Sequence, residues 1–213
     1  MRLFLFGWAE MDKNHFVPQL KLMEKIIRQT KPRQVFHIPF ARSIETEISR
    51  WDDWFIKNVD LSWIEYLNAK KEKDILKVDS PFVVITGGWN TINLLNKINE
   101  DRRIFDIIMK CKYLIWESAG SMILGEYLRV RPENEMKLIK WLWILKDTIV
   151  EPHYSERSSQ NLLEEEMDEI WAKYGIWIDC VTAMEFDLCR FPDEYKKIWN
   201  GTIEIKIKSD LIF

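Results

Sequence analysis

Short apolar runs rich in β-branched and aromatic residues alternate with helical patterns along this chain, and that alternation restricts its fold more than any other feature. Arg2–Phe6 reads as a strand, Phe16–Gln29 as a helix with Phe16, Leu20, Met23 and Ile27 on one side, and Gln34–Ile38 as a second strand. Ser43–Lys57 has a helical pattern, Trp63–Leu67 that of a short strand, and Phe82–Thr86 that of a strand buried on both faces. A helical stretch from Thr91 through Cys111, with a break near Glu100–Asp101, leads to the strand Tyr113–Trp116. The rhythm predicts an α/β fold, a three-layer sandwich whose mostly parallel sheet carries helices on both faces, because parallel strands need crossover connections that cover the sheet. Further on come a polar turn at Arg131–Asn134, apolar residues to Val150 and a helix over Ser158–Lys173. Late strands near Ile176–Met184 and Thr202–Ile207 could form a hairpin or an antiparallel edge.

No repeat, low-complexity segment or flexible linker interrupts the 213 residues, so a single domain over 1–213 is expected. A hydrophobic share of 47% with 31% charged residues is that of a chain able to bury a core. The formal net charge of −3 supplies no positive field, so neither nucleic acid nor an anionic membrane is expected as a partner. The run MRLFLFGW is too short for a signal sequence, and no apolar stretch approaches the roughly 18 residues of a membrane span. Cys111, Cys180 and Cys189 show no C-x-x-C spacing, which speaks against a zinc site or a disulfide framework and fits a reducing cytoplasm. Most of the eleven tryptophans are expected in the core or against the sheet.

Ligands of open parallel sheets bind beyond the carboxyl ends of strands, and three predicted strand ends carry unusual sequences. After YLIWE the chain meets Ser118 and turns at once through Ala119, Gly120 and Ser121 into a helix-like segment. A hydroxyl on such a turn stands clear of its backbone, with the next N–H groups facing a developing oxyanion. Gly120 supplies the small residue two after the serine, whereas Trp116 stands two before it, where such elbows carry glycine. After PFVVIT come Gly87-Gly88-Trp89-Asn90-Thr91, whose paired glycines allow close approach of backbone N–H groups to a substrate oxygen; a tight strand-to-helix turn has the same sequence signature. After DTIVE comes Pro152-His153-Tyr154, and His153 could take the Ser118 proton and return it to a leaving amine. His15 and His37 lack such company and read as structural.

Taken together, ITGGWNT, ESAGSMILGE and VEPHYSER resemble the peptidase E family of serine peptidases, which includes cyanophycinases and has a class I glutamine-amidotransferase-like fold. HIPFA at His37–Ala41 is similar to the family's strand ending in Ile-Pro-x-Ala, and GIWIDCVTAM at Gly175–Met184 to its late Gly-Ile-x-Ile-Asp-x-x-Thr-Ala strand. The resemblance implies Ser118 as nucleophile, His153 as general base, and an oxyanion hole of the Gly88, Trp89 and Ala119 backbone. It implies hydrolysis of a peptide bond next to aspartate, as a small aspartyl dipeptidase or a cleaver of aspartate-based polymers, with no metal or other cofactor. The chain could assemble as a homodimer. Glu133 is the nearest equivalent of the family's third catalytic residue, with Asp147 and Asp179 as other candidates. Cyanophycinase-like members instead carry a late glutamate where this chain has Cys180. Asn90, Tyr154 and Arg157 are the candidate substrate-binding residues, Arg157 for a carboxylate. Cys111 lies ahead of the strand and cannot occupy the elbow, so a cysteine mechanism is not expected.

Two residues depart from the family pattern. Trp89 replaces the third glycine of Gly-Gly-Gly-Asn-Thr, and Trp116 replaces the glycine of Gly-x-Ser. They leave open a second reading, a catalytically impaired protein that keeps the fold and binds a small ligand or partner in the altered pocket.

Overall fold

The computed structural model describes residues 1–7, 13–42, 54–88, 90–130, 137–140, 144–152, 160–199 and 201–208. Its first half runs β1 (Arg2–Phe6), α1 (Lys13–Thr30), β2 (Gln34–Ile38), α2 (Trp54–Asn58), β3 (Glu65–Asn68), α3 (Glu72–Ile75), β4 (Phe82–Ile85), α4 (Thr91–Glu100), α5 (Arg102–Lys110) and β5 (Tyr113–Glu117). The second half runs α6 (Ala119–Met122), β6 (Gly125–Val130), β7 (Lys137–Lys140), β8 (Leu145–Pro152), α7 (Gln160–Ile170), β9 (Tyr174–Ile178), β10 (Ala183–Asp187), β11 (Lys196–Ile198) and β12 (Ile203–Ile207). Strands β3, β2, β4, β5 and β1 lie side by side in parallel, and β10 and β11 extend the sheet antiparallel beyond β1 to seven strands. The expected α/β architecture, mostly parallel and covered by helices, is the one observed.

The period-2 alternation of the strands sorts their side chains into two cores. Leu3, Leu5, Val83, Ile85, Leu114 and Trp116 face one cluster with helices α4 and α5, whereas Phe4, Phe6, Phe82, Val84 and Ile115 face the other with Leu20, Met23 and Ile27 of α1. Each of these side chains is essentially removed from water, which for a large apolar residue is worth roughly 1.5–3 kcal/mol. The break in the helical stretch falls at Asp101, whose carboxylate accepts the Arg103 N–H at 3.0 Å and so starts α5. Where the sequence indicates one helix from Ser43 to Lys57, the described part, Trp54–Asn58, is helical.

Two segments differ from the sequence reading. The helix after Ser118 lasts only from Ala119 to Met122, and Gly125–Val130 is a strand in a separate five-stranded sheet ordered β12-β9-β8-β6-β7. Gly125 permits this, because a Cβ there would sit 2.5 Å from the Thr148 carbonyl oxygen of β8. The run Ile176–Met184 is likewise two strands, β9 and β10, one in each sheet. The crossing between them passes Val181 at φ 55° and is tied to the end of β1 by a 3.0 Å hydrogen bond from the Gly7 N–H to the Thr182 carbonyl. β12 pairs with β9 as an antiparallel edge. One face of the second sheet contributes Leu128, Val150, Ile176 and Ile178 to the first core, and its other face, with Ile149 and Trp177, packs on Leu163 and Met167 of α7. No helix among the described residues is long and apolar enough to cross a membrane.

Candidate active site

Strand β5 delivers its last residue, Glu117, and the backbone then reverses at Ser118, which holds φ 53° and ψ −115°. A residue with a Cβ pays on the order of 1–3 kcal/mol for such a conformation, so the surroundings must hold it there. They do so through hydrogen bonds to β1. The Ser118 N–H donates to the Phe6 carbonyl at 3.2 Å, and the buried Ser121 hydroxyl lies 2.7 Å from the same oxygen and 3.1 Å from that of Trp116. The Met122 N–H then closes the first helical turn on the Ser118 carbonyl at 3.1 Å.

Gly120 passes over β4, since a Cβ on it would lie 2.9 Å from the Ile85 carbonyl oxygen and 3.1 Å from its side chain. Its tight neighbour is therefore Ile85, and the position two before the serine is free to carry bulk. Trp116 uses that freedom by packing into the main core at 2% exposure. The short helix of the elbow also packs on β8, the strand whose chain continues to His153.

The glycine turn after β4 lies flush against the elbow. A Cβ on Gly87 would sit 2.3 Å from the Ser118 Cβ, and one on Gly88 2.3 Å from the Ala41 carbonyl oxygen, so neither position accommodates a side chain. The Gly87 N–H donates to Glu117 Oε2 at 2.5 Å, and the Gly87 carbonyl accepts from Arg42 Nε at 2.7 Å. Arg42, from the 3-10 turn Phe40–Arg42, and Glu117 form an ion pair at 3.9 Å in which both side chains are buried. Burial pushes the Glu117 carboxyl up and the Arg42 guanidinium down, and each is partly held in its charged form by the other. Gln19 of α1 reaches the second Glu117 oxygen at 3.4 Å. Asn90 caps α4, its side-chain oxygen accepting the Asn93 N–H at 2.9 Å and its own N–H donating to the Ala41 carbonyl at 3.0 Å.

Of the site residues read from sequence, Ser118, Ala119, Gly88 and Asn90 thus gather at the ends of β4 and β5, whereas Trp89, Glu133, His153, Tyr154 and Arg157 lie outside the described residues. Asp147 sits near the start of β8 at φ 51°, remote from the end that leads to His153. The Asp179 carboxylate accepts the Thr202 N–H at 2.7 Å, joining the end of β9 to the start of β12. Cys111 closes α5 with its thiol buried and pushed up to about 12, which suits a packing residue and not a nucleophile. His37 is wholly buried between the Thr86 hydroxyl at 2.9 Å and the Tyr66 hydroxyl at 2.7 Å, and burial lowers it to about 3, so it is a neutral structural histidine. Among the described residues no group of three or more His, Cys, Asp or Glu side chains is disposed to hold a metal ion.

Sequence reasoning missed Glu117 and Arg42. Their only signal was a carboxylate at an inward position of an apolar strand and an arginine directly after HIPFA, both unusual in such places.

The fold is shared with solved proteins. A peptidase from an acI-B1 Actinobacterium matches with a TM-score of 0.63 at 17% identity, over 97% of this chain and 96% of that one. A Listeria monocytogenes EGD-e protein assigned to peptidase E matches with a TM-score of 0.58 at 20% identity, over 98% of each chain. No curated protein matches the chain. The model of peptidase family S51 matches residues 3–187, the whole span from β1 to β10, and the chain therefore belongs to peptidase family S51, a family of serine peptidases.

Proposed function

We propose that the protein is a small serine dipeptidase that cleaves next to aspartate through an acyl-enzyme on Ser118. The observation that carries this reading is the backbone of Ser118 itself, at φ 53° and ψ −115° on the end of β5 with Gly87 pressed against it. Strain of this kind persists where it aims a side chain, and the strand-to-helix elbow is a known way of presenting a nucleophile.

In the proposed reaction the Ser118 oxygen attacks the scissile carbonyl carbon while His153 takes its proton. The resulting oxyanion is held by main-chain N–H groups of Gly88, Trp89 and Ala119. Collapse breaks the C–N bond, and His153 returns the proton to the leaving amine. Water, deprotonated by the same histidine, then releases the acyl group and regenerates Ser118. Glu133 is the proposed partner of His153, and Asn90, Tyr154 and Arg157 the proposed contacts to the substrate. The packing of Trp116 into the core supports an intact site, since its indole fills space in the core. We place the enzyme in the cytoplasm, acting on small peptides without nucleic acid or membrane partners.

Purified protein and Ser118→Ala are compared on a panel of aspartyl dipeptides and with a fluorophosphonate probe. Turnover and labelling that both depend on Ser118 are expected. Equal turnover by the two proteins removes Ser118 as nucleophile, and a wild type that binds the dipeptides without turnover or labelling points to the ligand-binding alternative.

A further inference from the structure

The geometry points to Glu117, with Arg42, as a positioning pair that sets the Gly87–Gly88 peptide for oxyanion binding, an inference that rests on the serine-peptidase reading. Glu117 lies between the core-facing Trp116 and the strained Ser118, and strand alternation sends its carboxylate to the opposite face from Trp116, toward Gln19 of α1. There it accepts the Gly87 N–H at 2.5 Å. That N–H is thereby committed to the protein and is not a donor for substrate.

Arg42 fixes the other side of the same turn by donating Nε to the Gly87 carbonyl at 2.7 Å. In a planar trans peptide the carbonyl and the following N–H point in opposite directions, so the Gly88 N–H is turned away from Arg42. Gly87 itself is flush with the Ser118 Cβ. The two peptides that meet at Gly87 are therefore both held, one by Glu117 and the next by Arg42, directly beside the nucleophile. A buried ion pair is a poor stabiliser relative to apolar residues of similar size, because desolvation offsets the attraction. Its retention here has a local use, since it makes a Gly-Gly segment, otherwise the most mobile kind of backbone, rigid where the oxyanion would form.

The test reads two quantities in wild type, Glu117→Gln and Glu117→Leu: amide hydrogen exchange of residues 86–88, and kcat and KM on the dipeptide that wild type cleaves. Glu117→Gln keeps an oxygen for the Gly87 N–H and is expected to retain slow exchange and most of the rate. Glu117→Leu is expected to exchange faster and to lose kcat by about 100-fold, the scale of one oxyanion donor, with KM changed by less than about twofold. If Glu117→Leu does not unfold cooperatively, the double variant Arg42→Met, Glu117→Leu, which removes both charges, is read in its place with the same expectations. Unchanged exchange in the leucine variant overturns the proposal whatever the activity. Faster exchange with unchanged kcat, while Ser118→Ala is inactive, overturns the positioning role and leaves the peptidase reading standing. A wild type without Ser118-dependent turnover overturns the peptidase reading and with it the catalytic role of the pair, the exchange then reporting only on the clamp.

Discussion

Gly87 stands so close to Ser118 that a Cβ built on it would lie 2.3 Å from the serine Cβ, and 2.6 Å from the Glu117 carbonyl oxygen. Two of these neighbours are backbone or a residue whose own φ is already strained, so neither yields cheaply. Gly87→Ala is therefore expected to destabilise the fold by about 1–3 kcal/mol, as overpacking does. Because the turn can only relax away from the elbow, fluorophosphonate labelling of Ser118 should slow as well. Urea unfolding and labelling rate measured on the same preparation check both, and an alanine variant with wild-type values of each would mean that Gly87 does not approach Ser118 this closely in solution.

The strain at Ser118 makes a separate prediction about stability. Ser118→Ala keeps a Cβ at φ 53°, whereas Ser118→Gly places there the one residue to which the conformation costs little. Relief of roughly 1–3 kcal/mol of strain exceeds the roughly 0.5–1 kcal/mol of added chain entropy. The glycine variant is expected to be about 1 kcal/mol more stable than the alanine variant, with both equally inactive. Equal melting temperatures for the two would mean that the elbow is not strained in solution.

The parts of this site that sequence revealed are those whose chemistry is local. Ser118, Gly120 and the Gly87-Gly88 pair announce themselves because a strand end, a small residue and a hydroxyl follow one another within a few positions. Glu117 does not, since its meaning depends on Gly87, 30 residues earlier, and on Arg42 from a third strand end. The helix predicted beyond Ser118 failed for a related reason. Leu124 to Leu128 has the composition of a helix, but Gly125 allows the chain to run against Thr148 of β8, and that pairing decides its conformation. The split of Ile176–Met184 between two sheets is equally non-local, fixed by the Gly7–Thr182 hydrogen bond.

Away from the elbow, Arg129 lies between two buried carboxylates, 2.7 Å from Glu151 and 3.3 Å from Glu166. Glu166 is raised to about 7, first by burial and then by the Glu151 charge, with the Arg129 guanidinium opposing the shift. An acid whose folded value exceeds its unfolded value of 4.5 stabilises fully below pH 4.5, and that contribution is lost as pH rises through 7. Glu166→Gln, which cannot ionise, should remove a fall of about 3 kcal/mol across that window. Denaturant unfolding of wild type and variant at pH 4.5 and pH 8 measures it, and a difference that does not change with pH contradicts the assignment.

His37 acts in the opposite direction. Its folded value of about 3 against 6.5 means that the unfolded chain binds a proton which the folded chain refuses, so stability present above pH 6.5 is lost as pH falls toward 3. The loss between pH 6.5 and pH 5 should be about 2 kcal/mol. In the interval from pH 4.5 to 6.5 the folded state carries one extra proton on Glu166 and one fewer on His37, so the two slopes cancel there. Glu117, also raised, adds to the Glu166 side, which is why each effect is read as variant minus wild type. His37→Gln should thus expose a stability that declines as pH rises from 4.5, and Glu166→Gln one that declines as pH falls from 6.5. The double variant should lose both slopes. Single variants whose profiles stay parallel to wild type would show that these groups titrate alike in the folded and unfolded chain.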